Sequence, residues 1–235
     1  MSNPNVQTYQ TYEESQRSNQ PLPTYDLEVI ADTMRLLFED SKEQSLMLQW
    51  FHIQKLLLAG QPVSPERIAA TLQISRNEVT AILNYWGAAL DNEGNVVGLG
   101  LSVAPTPHSY QINGRQLYVW CAGDAIMFPI FHKASAVIES PDPISGEKVR
   151  LIGTPEGAKE VEPSTAVVSW VPGTLDIESV RAKFCNFTNF FTSVETASQY
   201  VARHPDLIIV PIDAVFQLGK LFREREPYKS LIAGL

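Results

Sequence analysis

With 235 residues, 44% of them hydrophobic, the chain is long enough to bury a substantial core and to form one large or two small domains. Its formal net charge of -8 argues against a polyanionic partner, because nucleic-acid binding relies on Lys and Arg to neutralise phosphates. Its longest apolar runs, such as 134–138 and 207–212, fall far short of the roughly 18–20 residues that span a bilayer, and residues 1–23 lack the features of a secretory signal, so no nucleic acid, no membrane and a cytoplasmic location are expected.

Residues 1–24 are rich in Asn, Gln, Ser, Thr and Pro and carry too little apolar surface to offset the entropy of ordering; a flexible polar tail is expected. From 27 to 38, Val29, Ile30, Met34, Leu37 and Phe38 recur at helical spacing. A second periodic run, 46–58, stops before Gly60. Ser64-Pro65-Glu66 supplies an N-cap, a first-turn Pro and a first-turn acid for a short helix over 68–72. Ser75-Arg76-Asn77-Glu78 repeats the cap in its S-x-x-E form, and Val79, Ile82, Leu83 and Trp86 give the next helix one apolar face. A turn-rich segment at 91–97, with Gly94 suited to positive φ, predicts a hairpin. Helix-turn-helix followed by hairpin describes a winged-helix-like domain over 25–100. Such a domain ordinarily reads DNA, but its second helix (76–86) carries one Arg, one Glu and no Lys, a poor set for phosphate contacts.

Past residue 100 the pattern changes to short strand-like runs at 99–103, 109–112, 116–120, 134–139, 149–153 and 165–171, punctuated by Asn113-Gly114 and Ser145-Gly146 turns. Helical runs follow at 176–183, 194–203 and 211–225. The expected fold is therefore α+β: a winged-helix-like helical domain, then a mostly antiparallel sheet domain with flanking helices over 101–235.

Only two cysteines occur, Cys121 and Cys185. In a reducing cytosol such a pair is more often free thiols, a metal site or a catalytic pair than a structural disulfide. Cys121 lies in the segment 117–129, a strand running into Cys121-Ala122-Gly123-Asp124 and then an apolar stretch. If Asp124 begins a helix, the thiol sits at the strand-to-helix junction, where the helix dipole favours the thiolate. Taken alone, the pattern is read first as a buried small hydrophobe beside an N-capping Asp. Cys185 is followed by Phe187, Phe190 and Phe191 and preceded by Phe184, aromatics that either wall a dry pocket or simply fill the core.

Taken together, the strand-Trp-Cys-x-x-Asp-x-x-x-Phe-Pro segment at 117–129, Phe184-Cys185 about sixty residues on, and the Phe-Phe-x-Ser-x-x-x-Ala stretch that follows resemble the alkylmercury (organomercurial) lyase family. Val161-Glu162-Pro163 and the Ala-Phe-x-Leu-Gly helix at 214–219 extend the resemblance over roughly 46–222. It implies catalytic cysteines at Cys121 and Cys185 and a catalytic carboxylate at Asp124, with protonolysis of R-Hg-X to a hydrocarbon and Hg2+. It also implies an N-terminal domain that does not read DNA. Some members carry a further Cys after the second catalytic one; Asn186 stands there in this chain. Mercury is soft and thiophilic, so two thiolates are apt ligands, and a nearby acid must supply the proton to carbon. A dry pocket, with Trp120, Ile126, Phe128 and Phe187 as candidate walls, would raise Asp124 from its ordinary value near 3.9 into the range of a proton shuttle. No permanent cofactor is implied. The expected partners are an organomercurial substrate, external low-molecular-weight thiols, and a mercuric reductase that receives product Hg2+ from Cys121, Cys185 and Asp124.

No G-x-S-x-G, P-loop or H-E-x-x-H competes, and His52, His108, His132 and His204 lack ligand spacing. Two Cys and one Asp without a partnered His make a thin zinc site. The rival readings are a non-catalytic soft-metal or thiol sensor and a relative that only sequesters mercury. A sensor has no need of the Asp beside the thiol.

Overall fold

The computed structural model describes residues 27, 41–173, 180–226 and 228–233. The polar tail expected over 1–24 and, apart from Leu27, the helix expected over 27–38 lie outside the described residues.

Helix α1 (Ser41–Leu57) runs out just before Gly60, which has φ +79°, a conformation that costs glycine little. Helix α2 (Pro65–Leu72) begins where Ser64 accepts the Arg67 N–H, and α3 (Arg76–Trp86) begins at a complete capping box between Ser75 and Glu78. Left-handed Gln73 and Gly87 end the two helices. The buried face of α3 is Val79, Ile82, Leu83 and Trp86, the set its periodicity predicts.

Strands β1 (Ala89–Leu90) and β2 (Val96–Leu99) form the hairpin around Gly94. β2 then pairs with β3 (Leu101–Ser102), which pairs with β5 (Arg115–Val119) beyond β4 (His108–Ile112). With β6 (Ala136–Pro141), β7 (Lys148–Thr154) and β8 (Gly157–Glu162) this makes one eight-stranded antiparallel sheet in the order β1-β2-β3-β5-β4-β6-β7-β8. The N-terminal hairpin is thus hydrogen-bonded into the main sheet without a break at residue 100. β8 has no counterpart among the predicted strands. It is a polar edge strand whose side chains are at most half-buried, so it carries little hydrophobic alternation.

Helix α4 (Ala122–His132) leaves the end of β5 and lies against β4, β5 and β7. Tyr110, Leu117, Val119, Ile138 and Leu151 point inward and are fully buried. A smaller antiparallel sheet, β10-β9-β11, is built from β9 (Val167–Trp170), β10 (Phe190–Phe191) and β11 (Ile208–Pro211). β11 is a second strand the sequence pattern leaves out; the helix predicted from 211 begins at 212 as α7 (Ile212–Glu224). The remaining helices are α5 (Val180–Lys183), α6 (Val194–Val201) and α8 (Tyr228–Ala233). α4 and α7 pack closely because Gly219 leaves room for Ile130; a Cβ there would lie 2.7 Å from Ile130 Cδ1. The architecture is α+β with a mostly antiparallel sheet. Among the described residues no helix is long and apolar enough to cross a membrane.

Candidate active site

The chain places Cys121 where β5 gives way to α4. Trp120 still belongs to the strand layer, its N–H donating to Gly100 O at 2.9 Å. Cys121 is the extended N-cap residue of α4, and its Sγ accepts the Asp124 N–H at 3.4 Å. A sulfur thus takes the place of the usual capping oxygen, and Asp124 stands one turn into the helix on the same side.

Cys185 comes from a distant stretch held by side-chain clips rather than by long regular structure. It opens a single 3-10 turn, Cys185–Phe187. Thr188 closes that turn, its hydroxyl donating to Phe184 O at 3.0 Å. Ser169 on β9 reaches across, donating to Phe187 O at 2.6 Å and accepting the Asn189 N–H at 3.0 Å. The turn is tied directly to the first residue of α4, whose Ala122 N–H donates to Thr188 O at 3.0 Å. The two thiols therefore share one backbone frame.

The ligand atoms of Cys121, Asp124 and Cys185 lie within 4.8 Å of one another, and both cysteines are free and buried. Among the described residues this cluster is the one suited in chemistry and spacing to a soft cation. Asp124 as a residue keeps part of its surface open, yet its Oδ2 is enclosed without a hydrogen-bond partner. Tyr110 O–H and Trp120 Nε1–H are buried and unpartnered in the same way.

Gly123 shapes the walls. A Cβ at this position would lie 3.3 Å from Trp170 Cζ3 and 3.5 Å from both Phe184 Cε1 and Cys121 Sγ. Trp170 and Phe184, packed edge to face at 4.8 Å, therefore close in beside the sulfur. Trp120 is capped by the Arg181 guanidinium, 4.3 Å from its ring centroid. Of the pocket candidates from sequence, Trp120 adjoins the cluster. Phe128 instead packs on Trp50 of α1 and on His132, at 5.9 and 5.3 Å between ring centroids, and Phe187 sets its ring against His204 at 5.3 Å. Phe184 was visible in the sequence as the residue before Cys185. Trp170 and Tyr110 carry no local signal, because sheet pairing brings them in from other strands.

Burial sets the electrostatics. It pushes the Cys121 thiol well above its ordinary range, helped by its hydrogen bond with Cys185 and the Asp124 charge, and the Asp124 N–H only partly opposes this. The helix terminus expected to favour the thiolate is thus outweighed by desolvation. For Cys185 the hydrogen bond with Cys121 is the largest influence and lowers it; burial and the Asp124 charge together outweigh that bond and the Arg181 cation, so the net displacement is upward. Burial raises Asp124 from 3.8 to about 7, while the Cys121 thiol and the Trp120 and Cys121 backbone N–H groups pull it partly back. A site of this kind rests with protonated thiols, beside a carboxylate whose proton affinity matches neutral pH. Burial holds His108 and His132 down to about 4, and neither joins the cluster; His108 bonds Ser140 at 2.8 Å.

A family model described as Alkylmercury lyase matches residues 101–224. A protein named Alkylmercury lyase from Staphylococcus epidermidis is 39% identical over 75% of this chain and 83% of its own length. Those from Bacillus cereus and Pseudomonas putida are 40% and 34% identical, over 73% and 72% of this chain and 78% and 80% of theirs. A solved structure described as the crystal structure of the mercury-bound form of MerB2 matches with a TM-score of 0.69 at 23% identity. It covers 88% of this chain and 98% of that one, a likeness of fold.

Proposed function

The chain belongs to the alkylmercury lyase family and is a lyase of the carbon–mercury bond; from that premise we propose that Cys121, Cys185 and Asp124 cleave R-Hg-X by protonolysis. The observation that carries the assignment of these residues is the cluster itself: two buried sulfurs, from segments about sixty residues apart in sequence, and one carboxylate, all within 4.8 Å of one another.

One thiol attacks mercury and X leaves, taking up that thiol's proton as HX. Asp124 takes the proton of the second thiol as its sulfur binds, which makes mercury a two-thiolate centre still bearing carbon. Sulfur donation weakens the Hg–C bond. Its electron pair then takes the proton from Asp124, so R-H departs and Hg2+ remains on Cys121 and Cys185 with an Asp124 oxygen nearby. Two thiol protons enter, one leaving in HX and one in R-H, and no oxidation state changes. No permanent cofactor is needed for this balance. The buried setting suits it in two ways: it keeps the thiols protonated until mercury arrives, and it raises Asp124 to where it both accepts and returns a proton at neutral pH.

Low-molecular-weight thiols would then lift Hg2+ off by exchange at sulfur, with a mercuric reductase as recipient, which suits a cytoplasmic enzyme. The test is headspace gas from purified protein given methylmercury and excess thiol. Catalytic methane with Hg2+ appearing in equal amount is expected. Tight uptake of methylmercury without methane would replace this reading with sequestration or sensing.

A further inference from the structure

Three buried polar atoms around the site have no partner: Asp124 Oδ2, Tyr110 O–H and Trp120 Nε1–H. Native interiors rarely leave such groups unsatisfied; Gln49, Gln54 and His132 hold the others among the described residues, and each such group calls for an account of its own. The Trp120 indole nitrogen lies on the far strand pair, 3.1 Å from where a Gly98 Cβ would stand and beside Ser102. Tyr110 is different. It sits on β4 between Leu117 and Ile138 of the neighbouring strands, fully buried, on the strand against which the helix carrying Asp124 packs. The charge of Asp124 is felt at its phenol, which burial first and that charge second keep protonated. A neutral phenol is a donor, and Oδ2 is an acceptor in want of one. The terminal torsion of an Asp side chain is soft, so the carboxyl can turn toward the phenol without leaving its rotamer well.

We propose that Tyr110 is a positioning residue for Asp124, its hydroxyl donating a hydrogen bond to Oδ2 and so fixing the carboxyl with its other oxygen toward the thiols. This rests on the assignment of Asp124 as the proton carrier. The bond holds the shuttle at one angle between sulfur and carbon and stabilises the carboxylate left when the proton has gone. It acts on the chemical step and leaves the uptake of mercury by the sulfurs alone.

The test is Tyr110→Phe, which keeps the ring and its packing. The carboxyl C=O stretch of Asp124, identified by its loss in Asp124→Asn, is recorded by infrared difference spectroscopy on mercury-free protein at pH 5. Tyr110→Phe should move that band to higher wavenumber, as loss of a donor to the carbonyl requires. In turnover of methylmercury, kcat should drop roughly tenfold with KM within about twofold. An unmoved band, a wild-type kcat, or a loss of kcat matched by a raised KM and a lower melting temperature would each overturn the proposal. If wild type released no methane, the assigned activity would fail, and the infrared band would still decide whether Tyr110 holds Asp124.

Discussion

The N-terminal helices α1–α3 and the thiol site follow opposite rules. In the first region each feature answers to residues a few positions away: Ser64 and Ser75 cap, Glu78 closes the box, and Gly60, Gln73 and Gly87 take the left-handed stops. Most polar groups there meet partners close in sequence, although Gln49 and Gln54 on α1 each keep a buried, unpartnered side-chain oxygen, and the charged side chains among the described residues are exposed. In the second region local caps and turns are joined by contacts between distant segments. Cys185 reaches Cys121 only because Thr188, Ser169 and Ala122 stitch a single turn to a helix start, and three polar atoms stay buried without partners. Local consistency builds the scaffold, whereas the thiol cluster depends on contacts between segments distant in sequence.

The largest effect that separates the two regions is on turnover. Cys121→Ala and Cys185→Ala should each lower hydrocarbon release by at least roughly a thousandfold while far-ultraviolet circular dichroism stays that of wild type, since each removes a proposed mercury ligand and little volume. Melting curves against pH sharpen the contrast next. The folded protein binds the Asp124 proton more tightly than the unfolded chain, with affinity near pH 7 against an ordinary 3.8. The stability it contributes is therefore full below the ordinary value and falls as pH rises toward 7, by at most about 4 kcal/mol. Asp124→Asn should lack this component, so its melting temperature relative to wild type should climb between pH 5 and pH 8; a constant difference would mean that the carboxyl is not raised.

Gly100 joins the two regions. It has φ +72°, its carbonyl accepts the Trp120 N–H, and a Cβ there would lie 2.9 Å from Gln54 Nε2 and 3.0 Å from Phe128 Cζ. Gly100→Ala should cost roughly 2–3 kcal/mol in urea unfolding and also slow turnover, because strain there reaches both α1 and the strand that feeds Cys121. The smallest effect belongs to the locally determined region: Ser75→Ala should cost about 1 kcal/mol and leave kcat unchanged. A Ser75→Ala enzyme with impaired turnover would break the division drawn here.

The same division explains what could be read from the chain. The capping box at Ser75, the α3 face ending in Trp86 and the turns at Gly94 and Gly114 are short-range features, and sequence alone places them. β8 escaped because an exposed edge strand has no alternation to detect, and β11 because four residues leading straight into a helix give too short a period. At the site, the strand-to-helix setting of Cys121 was legible, and the resemblance of its motif supplied Cys185 and Asp124 as its partners. The walls were not. Phe128 and Phe187 stand next to the motifs in sequence, but helical and 3-10 geometry turn them toward Trp50 and His204. Trp170 enters from β9 and Tyr110 from β4, at positions that pairing alone determines.

The central claim is that the carbon leaves with an exchangeable proton delivered inside the site. A single turnover of methylmercury in D2O, with the gas analysed by mass spectrometry, tests it most directly. Monodeuterated methane from wild type, and none from Asp124→Ala although both thiols still take up mercury, is the expected result. Undeuterated methane, methanol, or undiminished release from Asp124→Ala would contradict it.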